Sequence, residues 1–257
     1  MTLSLEPADH TAAGLDQAFQ QLACAGGWFS GAQRIAIARE TRSARECALC
    51  AERKAALSPY SSSDSSVTKS SEKCTHTLRP VGSESGVALS AAAIDAIHRI
   101  TTDPGRLSKQ WYDETQAAGL APEELVEMTS VIAVTTIADT LARALSQPQR
   151  TLPAPVAGKP RRRSVRGATV ERGWVPMVDP ESAEGLTKAM YETVESAAGF
   201  VFNVARALTS VPEALRDFFS AFFPNYSTHG PVRPGGLDRG QVELLASSTS
   251  AYNDCFY

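Results

Sequence analysis

One helix-forming pattern is written twice in this chain, and it limits the folds open to it. Residues 33–54, QRIAIARETRSARECALCAERK, are rich in good helix formers, lack Pro and Gly, and carry Cys47-Ala-Leu-Cys50. The spacing predicts one helix with both sulfurs on the same face, close enough to bridge as a reversible disulfide after a modest adjustment. Residues 241–255, QVELLASSTSAYNDC, line up on 33–47 without a gap: Gln241 on Gln33, Ala246 on Ala38, Thr249 on Thr41, Cys255 on Cys47. Acid also matches acid before the thiol, Asp254 on Glu46. The shared placing of the cysteine and the apolar positions favours an internal duplication. In that register the partner of Cys50 is residue 258, one past Tyr257.

The remaining periodicity is helical too. Residues 11–25 place Leu15, Phe19 and Leu22 at helical spacing. Gly26-Gly27 end that segment, and Ser30 is placed to cap the next. Residues 58–73, SPYSSSDSSVTKSSEK, have the composition of a mobile loop. Helical pattern returns at 90–101 with Ile94, Ile97 and Ile100 on one side, turns at Asp103-Pro104-Gly105, and resumes at 108–118. Pro122 opens a long helix to Leu145, whose Leu125, Met128, Ile132 and Leu141 predict the core helix of this half. Residues 147–173 are Pro-rich and basic and read as an inter-domain linker, with Arg161-Arg162-Arg163 a solvated run. Helices are expected again at 180–198, 204–209 and 212–223, the last with a thick apolar face of Leu215, Phe218, Phe219 and Phe222. Residues 226–237 read as loop and Asp238 as the cap of a final helix. No stretch reads as a strand. The expectation is an all-α fold with two helical units, 11–146 and 174–257, joined by the linker 147–173.

A chain of 257 residues is long enough for one large or two small domains with ample core. A net charge of −3 gives no steering towards nucleic acid or an anionic membrane. No apolar run approaches the roughly 20 residues that span a bilayer, and the N-terminus lacks the pattern of a secretory signal. Five cysteines, an odd number with two in CxxC, fit a reducing compartment and a redox or metal role. A cytoplasmic protein is expected.

In their order these pieces resemble the alkylhydroperoxidase-D and carboxymuconolactone-decarboxylase superfamily. The second half carries VPMVDPESAEGL, GFVFNVARALTSVPEALRDFF and the helix ending SAYNDCFY. The first carries the CxxC helix, AIDAIHRITTDPGRLS and AAGLAPEELVEMTSVIAVTTIADTLARAL, so the resemblance spans about residues 14–146 and 174–257. It implies two tandem alkylhydroperoxidase-like units, the second incomplete at the C-terminus. It also implies thiol-dependent reduction of an organic hydroperoxide, an antioxidant activity needing no metal or organic cofactor. A dithiol protein would be the reductant and a homo-oligomer the assembly. The family's redox signature is a Glu, twelve residues on a Cys, three further a second Cys, and four further a His. Carried over by position, it gives Cys47 and Cys50 in the first half and Glu243 and Cys255 in the second as candidate catalytic residues. Cys50 would attack the peroxide and become a sulfenic acid, which Cys47 resolves as a disulfide. Ile35 stands at the Glu position of the first half and Lys54 at its His position. The cations Arg45, Arg53 and Lys54 are left to favour a thiolate. Asn253-Asp254 reads as a break that sets Cys255 at a helix N-terminus. Residue 258 is expected to be a selenocysteine read from UGA, or a cysteine lost by nonsense mutation or truncation of the record.

Other chemistry fits the same residues. A decarboxylase-like or inert member of the superfamily would keep the fold alone, and the CxxC pair could be two core cysteines. A zinc-stabilised interaction module would use Cys47, Cys50, Cys74 and His76, in the pattern C-x2-C-x23-C-x-H. Cys24 reads as a small core residue and His98 as a packed or surface helix residue. Asp139 is either exposed or an inward group needing a partner, and Glu243, apart from the resemblance, is a solvated helix residue.

Overall fold

The computed structural model describes residues 7, 9–56, 74, 87, 89–171, 173–224, 226 and 236–252. Helix α1 (Asp9–Ala23) buries Leu15, Ala18, Phe19 and Leu22, the stripe its spacing predicts. Helix α2 (Gly31–Ala44) opens on a reciprocal capping box: Gln33 N–H donates to Ser30 Oγ at 3.3 Å, and Ser30 N–H donates to Gln33 Oε1 at 2.9 Å. Gly31 is required by a close approach, because a Cβ there would run into the Ala23 carbonyl oxygen.

The single helix expected over 33–54 is broken. Helix α2 stops at Ala44; Glu46 N–H then bonds Ser43 O at 3.1 Å and Cys47 N–H bonds Ala44 O at 3.2 Å, before α3 (Ala48–Ala56) begins. Local propensity would carry the helix on. The turn is set by tertiary packing of α3 against α4 (Ala91–Thr102).

Ser90 Oγ caps α4, accepting from Ala93 N–H at 3.2 Å. After a 3-10 turn (Pro104–Arg106), α5 (Lys109–Ala117) ends at Gly119, whose φ of +91° is the left-handed conformation that favours glycine. Helix α6 (Pro122–Ala144) starts with Pro in its first turn and packs on α1, α2, α4 and α9 (Pro212–Phe222). By length and composition α6 is apolar enough to cross a membrane, but 67% of its most apolar window is buried inside the protein. It is the core helix.

The second half adds α7 (Gly185–Ala198), α8 (Asn203–Ala207), α9 and α10 (Arg239–Tyr252). Residues 147–167 run along the first half, with Val156 N–H bonded to Ala23 O at 2.8 Å and Arg162 N–H to Gly27 O at 2.7 Å. That path ends in a small antiparallel ladder, β1 (Ala168–Thr169) on β2 (Met177–Val178). Strands of two residues leave no periodicity to read. With no other strand among the described residues and helices making up most of them, the class is all-α.

The halves share a core. Ala221 of α9 joins the first-half cluster of Leu22, Ile35 and Met128, while Val126 of α6 joins the second-half cluster of Leu215 and Phe219. Arg34, Glu127 and Asp217, from α2, α6 and α9, are all wholly buried. Arg34 pairs with Asp217 and lies 3.2 Å from Glu127, and it donates to the α1 carbonyls of Gln21 and Cys24 at 2.9 and 3.1 Å. Glu127 accepts from Trp28 N–H at 2.6 Å. Buried charges survive only when paired in this way.

Helix α10 repeats α2 at the aligned positions. Both have 14 residues, and Asp238 with Gln241 forms the same reciprocal box, at 2.9 Å each way, that Ser30 forms with Gln33. Their surroundings differ. Helix α2 buries Ile35, Ile37 and Ala38, whereas α10 buries nothing among the described residues and leaves Leu244 68% exposed.

Candidate functional site

The turn after α2 and the packing of α3 on α4 bring together Cys47, Cys50, Cys74 and His98. One donor atom from each lies within 4.8 Å of all the others, and the four residues are buried. Cys47 stands just before α3 and Cys50 in its first turn, so Cys50 N–H points back to Cys47 Sγ at 3.5 Å. Cys50 Sγ lies 3.4 Å from Cys74 Sγ and 3.3 Å from His98 Nδ1.

A second ring of groups holds these four. Glu40 of α2 meets His98 Nε2 at 2.6 Å, which fixes the ring and presents Nδ1 to the sulfurs. Asp95, one turn before His98 on α4, accepts from Cys74 N–H at 3.0 Å and from Arg99 Nε at 2.9 Å. Arg53 of α3 donates to Cys50 Sγ at 3.4 Å and approaches Cys74 Sγ at 3.9 Å. The cation beside the sulfurs is therefore Arg53. Lys54 donates instead to Thr102 O at 3.2 Å, at the end of α4.

The electrostatics follow from these contacts. A hydrogen bond from Cys74 is the main cause pushing the Cys50 thiol far down, with the His98 ring acting in the same sense against burial. Cys74 moves up, since it keeps the proton it donates and is itself buried. Burial would lower His98, but its contacts to Cys50 and Glu40 outweigh that and push it up to about 10. In this state Cys50 is a thiolate beside an imidazolium.

Of the residues singled out by sequence, Cys47, Cys50 and Cys74 meet at this centre. Glu243 lies on α10, where it accepts from Tyr226 Oη at 2.7 Å and pairs with Arg239 at 3.3 Å. Cys255 and His76 fall outside the described residues. Ile35, at the expected Glu position, is wholly buried in the core. Cys24 is exposed rather than packed, and Asp139 is inward with Arg42 as a two-pronged partner at 3.0 and 2.8 Å.

His98 and Glu40 are the functional groups that spacing missed. His98 sits in the stripe of Ile94 and Ile97, and a histidine on an inward face needs polar partners; that was the available signal. Glu40 had none, because its role depends on how α2 lies on α4. The chain matches no family model, no curated protein and no solved structure.

Proposed function

We propose that this chain reduces small hydroperoxides with its own thiols, Cys50 being the attacking sulfur. The observation that carries the reading is the line Glu40–His98–Cys50, with contacts of 2.6 and 3.3 Å on opposite sides of one imidazole. A thiol attacking a peroxide must lose its proton, and the departing oxygen must gain one; a histidine held by a carboxylate serves both needs. Glu40 and His98 supply the groups that are missing from positions 35 and 54. The resemblance to alkylhydroperoxidases points to the same chemistry.

The Cys50 thiolate attacks the terminal peroxide oxygen and the O–O bond breaks. The alkoxide takes a proton from His98 Nδ1, leaving Cys50 as a sulfenic acid. Cys74, 3.4 Å away, then attacks the sulfenic sulfur. Its proton and the hydroxyl leave as water and a disulfide forms. An external dithiol returns the two electrons. Cys50 is 2% exposed, which suits a slim peroxide better than a bulky one.

Consumption of ethyl hydroperoxide by the full chain, with dithiothreitol as reductant, tests the reading. Cys50→Ser abolishes it, and His98→Ala lowers the rate by ~10²–10⁴-fold. Cys24→Ser leaves it unchanged. Consumption that survives Cys50→Ser overturns the proposal.

A further inference from the structure

The geometry points to a zinc site made of Cys47, Cys50, Cys74 and His98, occupied in the reduced chain. It deepens the thiol reading by naming what holds these sulfurs at rest, and rests on that reading only for the oxidation step below.

Three thiolates and one imidazole are the donor set that zinc takes in closed tetrahedral sites. With Zn–S near 2.3 Å and Zn–N near 2.0 Å, the edges of such a tetrahedron are roughly 3.5–3.8 Å. The edges here of 3.4 Å (Cys50 to Cys74) and 3.3 Å (Cys50 to His98) are close to that, and no pair of donor atoms exceeds 4.8 Å. Small movements, outward for these two pairs and inward for any longer ones, accommodate the ion.

The surroundings fit zinc as well. A histidine ligand ordinarily gives its other ring N–H to a carboxylate, and Glu40 stands 2.6 Å from His98 Nε2 with Nδ1 facing the sulfurs. Three thiolates on a divalent ion leave one excess negative charge, which the Arg53 guanidinium offsets from 3.4 Å. Cys50 N–H, aimed at Cys47 Sγ, disperses charge on a third sulfur. Burial of all four residues closes the site. Spacing alone had put His76 in the fourth place; packing supplies His98.

Oxidation would open the site. With zinc bound, His98 Nδ1 is a ligand and no longer the acid it is in the metal-free chain, so both protons come from solvent. Two zinc-bound thiolates, one hydroperoxide and two protons give the Cys50–Cys74 disulfide, an alcohol and water. The thiolates lose two electrons to the O–O bond. Zinc leaves because the disulfide no longer donates to it.

The test is elemental analysis of the full chain purified anaerobically under reducing conditions. About one zinc per chain is expected. His98→Ala and Cys74→Ser lose the metal, His76→Ala keeps it, and Glu40→Gln weakens affinity by ~10–100-fold against a chromophoric chelator. A ligand variant that fails to fold also loses metal, so the wild-type apo chain is titrated with Co²⁺ as well. Thiolate-to-cobalt charge-transfer absorption then reports sulfur ligation directly. A folded apo chain that takes up neither ion, or a His98→Ala chain with full zinc, overturns the site. Peroxide consumption by a chain that never binds zinc sinks the metal and leaves the thiol reading. Bound zinc that peroxide neither releases nor oxidises around does the reverse.

Discussion

Position 35 shows how one residue separates a sequence pattern from the chemistry placed on it. Ile35 packs with Leu22 and Met128, so Ile35→Glu would bury a carboxylate among apolar side chains instead of restoring a relay. We expect it to destabilise the chain by on the order of 3–5 kcal/mol, as uncompensated buried charges do, with no gain in peroxide consumption. Denaturant melts and rates measured together check both outcomes. Glu127 makes a second prediction at this scale. Burial pushes its carboxyl up from 4.5 to about 7, with Asp217 and Glu213 adding to that while Arg34 and Trp28 N–H oppose it. The native chain therefore holds more protons than the unfolded chain between those values. Its contribution to stability is full below about 4.5 and is lost as pH rises through about 7. Glu127→Gln should flatten the stability profile across that window; an unchanged slope would assign the titration to another group.

Helices were legible because their stripes were. The spacing of Leu15, Phe19 and Leu22, of Ile94 and Ile97, and the caps at Ser30 and Asp238 all mark elements found in the fold. The turn at Arg45-Glu46 was not legible, because no breaker residue marks it and the force that makes it comes from α4. That turn decides the site: on one straight helix, Cys47 and Cys50 would only face each other, whereas the break lets them converge with Cys74 and His98. The α1–α2 contact carries its own test. Gly31→Ala sets a Cβ against the Ala23 carbonyl, and overpacking of this kind costs roughly 1–3 kcal/mol. A thermal melt unchanged by the substitution would show that the two backbones lie further apart.

At the scale of the whole molecule, composition suggested a linker between two units, but the chain between them is bonded to the first half and α9 lies in a shared core. Sequence alone hides such docking, because Arg34 and Asp217, 183 residues apart, reveal their pairing only when α2 meets α9. Both halves should unfold in one calorimetric transition, and Asp217→Ala should lower it for the whole chain by about 3–5 kcal/mol; two separable transitions would contradict the shared core. The central claim is that three thiols and a histidine form one centre in which Cys50 and Cys74 are redox partners. Its most direct test is peptide mapping of the reduced, zinc-free chain after stoichiometric hydroperoxide. The account predicts a Cys50–Cys74 disulfide with Cys47 still open to alkylation. A Cys47–Cys50 bridge with Cys74 free, or three thiols left unoxidised, would contradict it.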